Sequence, residues 1–204
     1  MSDFPHPKIA RPDHEILEVI RHRWSPRAFD PDREVDPVDL RRLFEAARWA
    51  PSSANEQPWR FVVADRRSVP EEFAAILSAL TSKNQEWAAA APVLVLLAIR
   101  MTHEKTGAAN AAAWYDAGQG VAFLTLQATS VGLAARQMMG FSVEAARVAC
   151  RVPEPFEPAI VIALGYAGSP DALSNDTHRH AEVQPRARRP LGDFVFRGQW
   201  GVGF

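Results

Sequence analysis

The chain has 204 residues, with 23 Lys and Arg against 24 Asp and Glu and a net charge of −1. That length can bury a sizeable core in one domain, and the charge balance gives no whole-molecule basic field, which argues against nucleic acid as a partner. No apolar run approaches a membrane span, Met1–Asp13 is polar with three prolines, and Cys150 is the only cysteine. The expectation is a soluble, unexported, cytoplasmic protein with no membrane contact, no internal disulfide and no thiolate metal cluster.

In chain order, the first clear helix starts at Asp36, a good N-cap, with Pro37 at the first helical position and Asp39 placed to reach back. Leu40, Leu43, Phe44 and Ala47 form its apolar stripe, Pro51 stops it, and residues 51–58 read as loop. Arg60–Ala64 has the β-branched and aromatic character of a strand, and Phe73, Ile76, Leu77 and Leu80 repeat at helical spacing after Pro70. Val93–Ile99 is an almost unbroken apolar run of strand length, the pattern of a strand covered on both faces. From about Ala109 to Val131 the chain is helical and short of charge, with Trp114, Val121, Leu124, Ala128 and Val131 on or near one face and Gly132 as its stop. Such a helix is central to the core, half of a dimer interface, or both. Strands are expected at Leu133–Met139 and Pro158–Gly165, with a short helix from Ser142 to Cys150 between them. Residues 1–204 form one domain, with an N-terminal extension over about 1–14 and a polar arm over about 169–204 that reads as extended rather than as a second domain.

Several chemistries lack their signatures. There is no Gly-x-Gly-x-x-Gly after a strand and no Gly-x-x-x-x-Gly-Lys-Ser/Thr, while Gly198, Gly201 and Gly203 lie at the end of the chain with no helix after them. His178 and His180 have no acidic or thiolate partner at ligand spacing, so no metal is expected. Cys150 has no nearby His and reads as a buried small hydrophobe rather than a nucleophile. What remains is a set of anion ligands. Arg23 and Arg27 are one helical turn or two strand repeats apart, so both guanidinium groups can face one anion with Ser25 between them. Arg186 and Arg188 alternate in the same way before Pro190, and the two pairs could form a clamp. Either pair alone reads as an ordinary solvated surface.

Arg23-Trp24-Ser25-Pro26-Arg27, a helix, and then Ala50-Pro51-Ser52-Ser53-Ala54-Asn55-Glu56-Gln57-Pro58-Trp59 resemble the opening of the FMN-dependent nitroreductase family. The resemblance runs on through Asn84 and Trp87, the long helix around Asp116, Gly132-Leu133, Met139-Gly140-Phe141, Ala159–Gly165 and Arg186-x-Arg188-x-Pro190, covering nearly everything from Glu15 to Val195. It implies an α+β fold with a central mixed, mainly antiparallel sheet flanked by helices, in an intertwined homodimer with an extended C-terminal arm. It also implies FMN at the subunit interface. Arg23, Ser25, Arg27, Arg186 and Arg188 would hold the phosphate and ribityl chain, with Trp24 in the same motif. Asn84 would meet the pyrimidine edge, and Pro51, Ser52, Ser53 and Asn55 would approach from the second subunit. The backbone of Met139 and Gly140 would donate to flavin N5. No side chain is needed as general acid or base, because the flavin carries the hard step.

The activity implied is reduction of FMN by NADH or NADPH through hydride transfer to N5, then ping-pong reduction of a small-molecule acceptor: a nitroaromatic, a quinone or a conjugated carbonyl compound. The alternatives are a relative with other FMN chemistry, such as a dehalogenase, a desaturase or a flavin-fragmenting enzyme, and a non-catalytic flavin-binding protein. Met139 stands where many relatives are acidic, and with Trp24 and Trp87 it predicts a more apolar pocket rim and flat, uncharged or aromatic acceptors. Residues 100–109 are either a flap over the flavin that also meets the nicotinamide phosphate, or a solvated connecting loop. Phe194, Phe196, Trp200 and Phe204 are expected to pack across the subunit interface.

Overall fold

The alternation of side chains along two central strands sets the architecture. In the computed structural model, which describes residues 8–204, the strands are β1 (Trp59–Asp65), β2 (Val93–Arg100), β3 (Ala134–Met138) and β4 (Phe156–Gly165). They form one sheet in the order β1-β2-β4-β3, with every neighbouring pair antiparallel, so the parallel member of a mixed sheet is not among the described strands. The helices are α1 (Glu18–His22), α2 (Pro37–Arg48), α3 (Pro70–Ala79), α4 (Ser82–Ala88), α5 (Ala113–Ser130), α6 (Val143–Ala149) and α7 (Asp176–Val183). Residues 1–7 of the expected N-terminal extension lie outside the described residues.

Successive residues of a strand point to opposite faces. Val93, Val95, Leu97 and Ile99 of β2, with Ile160, Ile162 and Leu164 of β4, pack under α2 and α5 against Leu43, Ala47, Val121, Leu124 and Ala128. Leu94, Leu96 and Ala98, with Val161 and Ala163, face the other layer, where Phe73 and Ile76 of α3, Trp87 of α4 and Ala146 of α6 cover them. A strand covered on both faces has no polar side, hence the unbroken apolar run. Fully burying one such side chain is worth about 1.5–3 kcal/mol, and this double layer holds the frame rigid.

Local signals place α2 well. Asp36 accepts from the Val38 N–H at 2.7 Å, and Pro37 opens the helix. Asp39 does not reach back as expected; its carboxylate takes Arg42 one turn later at 2.8 Å. The helix expected from Ala109 begins at Ala113, because Thr102 bridges Ala109 and the Asn110 N–H donates to Met101 at 2.8 Å, closing residues 101–110 into a hairpin. Val121, Leu124 and Ala128 face the core, whereas Trp114 is exposed. The C-terminal arm is not extended throughout: α7 forms where the Asn175 side chain caps the His178 N–H. Its polar composition carries no apolar stripe, so periodicity was blind to it. No helix among the described residues is long and apolar enough to cross a membrane.

Beyond β4 the chain continues beside the N-terminal loop. Phe29 bridges Ala167, the Asp30 N–H donates to the Tyr166 carbonyl at 2.9 Å, and the Gly168 N–H donates to the Ala28 carbonyl at 2.9 Å. These bonds fasten residues 28–30, directly after the Arg23–Arg27 segment, to the end of the sheet.

Candidate functional site

The two arginine pairs from opposite ends of the chain meet. Arg23, Trp24, Ser25 and Arg27 line a cavity of about 250 Å³ together with Arg186 and Arg188 of the tail. Lys8, Arg136 of β3 and Glu182 of α7 complete its polar wall. Among the described residues six cations thus line the cavity with one carboxylate, a balance that suits a multiply charged anion.

The arginines do different work. Arg23 donates to Ser25 Oγ at 3.2 Å, and its pKa is drawn down by burial and then by the charge of Arg188. Arg186 spends both terminal nitrogens on main chain, donating to the carbonyls of Arg23 and of Arg21, the latter at 2.6 Å. Its Nε is buried with no hydrogen-bond partner. Arg186 is therefore a brace between the tail and the end of α1, and Arg23, Arg27 and Arg188 remain the freer cations. Glu182, 3% exposed, accepts from the Arg27 N–H at 3.1 Å and the Ala28 N–H at 3.4 Å, and lies 4.0 Å from the Arg27 guanidinium. A buried carboxylate on a tail helix thus shapes the loop that carries the first motif.

A second cluster lies where β3 ends. The Gly140 carbonyl accepts from the Thr81 N–H at 2.9 Å and from Asn84 Nδ2 at 3.1 Å. A Cβ at Gly140 would stand 2.8 Å from Asn84 Nδ2 and 3.2 Å from Thr81 Oγ1, so only glycine allows this approach without displacing the amide. Met139 is 75% exposed beside it. The two clusters share a frame, because Arg136 on β3 reaches the Ser25 carbonyl at 2.6 Å and lies over the ring of Trp87, one turn beyond Asn84 on α4. Trp87 itself is 2% exposed and stacked on Phe29, so it cannot form the pocket rim as expected; it supports the cavity from below. Trp24 lines the cationic cavity instead of that rim.

Pro51, Ser52, Ser53 and Asn55 do not join either cluster within this chain. They precede β1, at the sheet edge opposite β3. The loop is nonetheless held firmly: the Ser53 N–H donates to the carboxylate of Asp116 on α5 at 2.9 Å, and the Gln57 N–H donates to Ser52 Oγ at 3.1 Å. Asp116 is 2% exposed. Ala54, Asn55 and Gln57 have φ of 50°, 56° and 45°, a strained arrangement for non-glycine residues that such anchoring sustains.

The hairpin over 101–110 is tied to the same loop. Glu56 accepts from the Glu104 N–H at 3.0 Å and lies 3.3 Å from His103 Nδ1. The Glu104 N–H first, and His103 next, keep its carboxyl below the usual carboxylate range. Residues 100–109 are therefore neither a free flap nor a plain connector. Glu56→Gln removes the charge from this tie, and tryptic cleavage after Lys105 is expected to speed up roughly threefold or more with little change in melting temperature. An unchanged cleavage rate would show that the hairpin stands without Glu56.

Sequence reasoning missed Lys8, Arg136 and Glu182. Arg136 had a usable signal, a cation within an otherwise apolar strand face, whereas Glu182 lies in a polar stretch with no periodicity. Burial pushes the Cys150 thiol up to about 11, as suits an inert thiol. Among the described residues no group of three or more His, Cys, Asp and Glu is arranged to hold a metal ion.

Comparison with known proteins matches residues 20–166 to the sequence model of the nitroreductase family. A solved structure described as an oxidoreductase containing FMN is 32% identical, with a TM-score of 0.87 over 94% of this chain and 96% of that one. An uncharacterized 15.4 kDa protein from the ask 5′ region of Mycolicibacterium smegmatis is 33% identical over 147 residues, 70% of this chain and 97% of that protein. The major NAD(P)H-flavin oxidoreductase of Aliivibrio fischeri is 27% identical over 92 residues, 45% of this chain and 42% of that protein.

Proposed function

Because this chain belongs to the nitroreductase family, we propose that it is an FMN-dependent oxidoreductase that draws electrons from NAD(P)H and delivers them to a small electron-poor acceptor. The observation that carries this reading is the cationic cavity assembled from both ends of the chain. A phosphomonoester carries close to two negative charges, and the cavity offers guanidinium groups crowded together with unpartnered buried nitrogens on Arg136 and Arg186. The residues present fit the group.

When bound, FMN supplies the redox chemistry, carrying a hydride equivalent from NAD(P)H through its N5 to the acceptor, with donor and acceptor taking turns. The chain binds and orients it. Arg23, Arg27 and Arg188 would hold the phosphate, Ser25 would add a hydroxyl, and Arg186 would fix the loop that presents them. Asn84, steadied through Gly140, would turn its remaining amide capacity to the pyrimidine edge. Met139 and Gly140 would offer backbone N–H groups beside the reacting atom. The exposed Met139 side chain gives that edge a soft apolar surface, which favours flat aromatic acceptors, whether nitroaromatics, quinones or conjugated carbonyl compounds.

A second copy would complete the site. The anchored loop with Pro51, Ser52, Ser53 and Asn55 is preorganised at the opposite sheet edge, away from the cationic cavity of its own chain. Trp49, Trp114, Tyr115 and Phe123 are exposed on α2 and α5, and Phe194, Trp200 and Phe204 are exposed in the tail, as unpaired halves of an interface would be.

Purified protein should be a yellow dimer by light scattering and absorbance, should bleach anaerobically with NADPH or NADH, and should recover its colour with a quinone or nitroaromatic. A bound flavin that stays oxidised with both nucleotides would move the assignment to family members with other FMN chemistry. A protein unable to take up FMN would overturn it.

A further inference from the structure

Arg136 belongs to neither arginine pair, yet it is the one cation of the cavity that projects from the sheet. Its neighbours at the same strand parity, Ala134 and Met138, pack into the layer that contains Trp87 and Phe73. An apolar side chain would suit that position, and a guanidinium there loses hydration that only partners can replace.

Its partners fall short of its charge. Arg136 donates to the Ser25 carbonyl at 2.6 Å and has the Trp87 ring 5.1 Å away, while its Nε is buried with no hydrogen-bond partner. Glu182 is the carboxylate of the cavity, but it is occupied by the Arg27 and Ala28 N–H groups and by the Arg27 side chain. Burial first, and the charge of Arg27 next, lower the pKa of Arg136 to about 10, with Glu182 opposing. A brace for Ser25 alone would need only a neutral donor. The excess charge, the orphaned nitrogen and the place in the cavity wall call for an anion.

We propose that Arg136 is a further ligand of the cofactor's phosphate end, held from the sheet by the Ser25 carbonyl and the Trp87 face, with Glu182 fixing the loop opposite it. This rests on the FMN reading above. The loop and tail then supply some of the cations, and β3 supplies one from the sheet, which limits the site to a phosphate at one depth.

The test compares affinities of the cofactor-free protein for FMN and for riboflavin, which lacks the phosphate, by flavin fluorescence quenching. Arg136→Gln keeps a donor for the Ser25 carbonyl and removes the charge. It is expected to lower the preference for FMN over riboflavin at least tenfold while leaving riboflavin affinity within about twofold. Equal losses for both flavins would make Arg136 a brace only and overturn the proposal, as would an unchanged FMN preference. Should Arg136→Gln fail to fold, Arg136→Met, which keeps the stem over Trp87, carries the same comparison. If the unaltered protein binds neither flavin, the FMN reading fails by itself. Arg136 is then judged by thermal stabilisation with inorganic phosphate: stabilisation lost in Arg136→Gln supports the anion site, and stabilisation retained overturns it.

Discussion

Replacing Arg23 and Arg188 together by alanine is expected to weaken FMN binding roughly a hundredfold or more, without unfolding the protein. Each guanidinium would contribute a charge-assisted hydrogen bond to the phosphate, worth about 1.5–3 kcal/mol where water is partly excluded. The sign of the stability change in the cofactor-free state is opposite. Arg23 is half-buried, and burial and then Arg188 depress its pKa, so in the empty cavity the charged form is disfavoured by folding. At neutral pH the Arg23 guanidinium is charged in both the folded and the unfolded chain, so the whole of that cost is present. Removing either charge relieves it, so the melting temperature of the cofactor-free variant should hold or rise while flavin is lost. The backbone carbonyl of Arg23 that receives Arg186 is untouched by the substitution. Flavin content after gel filtration and melting curves with and without FMN decide it; retention of a full flavin complement by both single variants would dismantle the phosphate clamp.

Gly168→Ala should produce a large loss of stability. A Cβ there would lie 2.6 Å from the Phe29 carbonyl oxygen, 2.7 Å from the Phe29 carbonyl carbon and 2.9 Å from the Asp30 nitrogen. All three are main-chain atoms, so no side chain can swing aside. The chain beyond β4 must part from residues 28–30, giving up the Gly168–Ala28 and Asp30–Tyr166 hydrogen bonds that make the Phe29–Ala167 bridge. At about 1 kcal/mol per bond the cost is about 2 kcal/mol, or a fall of roughly 4–8 °C for a chain of this size. Those bonds anchor residues 28–30, where the loop from Arg23 to Arg27 ends, so FMN affinity should fall as well. Gly192→Ala, where a Cβ would meet nothing within 4 Å, is the matched control and should melt with the unaltered protein. A Gly168→Ala variant as stable as the control would show that the loop is not clamped there.

The frame was readable wherever a local cause produces it. Asp36 caps α2 because its side chain needs only the next turn of its own helix, and the apolar run of β2 announces burial on both faces because each side chain along it had to be dry. The arginine pairs could be placed near an anion from residue type and spacing, and the structure brings Arg23, Arg27, Arg186 and Arg188 to one cavity. The division of labour among them was not readable. Arg186 became a brace because two carbonyls of residues 21 and 23 lie within its reach across more than 160 positions of sequence.

Residue chemistry, then, was enough for helix caps, buried strands and the cationic character of the site, since each follows from neighbours within a few residues. Tertiary structure alone decided that Glu182 shapes the loop at Arg27, that Arg136 reaches Ser25, that Trp87 is buried and that Asp116 anchors Ser53. Those outcomes depend on partners far apart in the chain, 63 positions for Asp116 with Ser53 and 155 for Glu182 with Arg27, for which a single sequence carries no local signature. A polar side chain reads the same whether it ends in water or against a distant backbone N–H, and only the packing of the surrounding elements removes the water and fixes the partner.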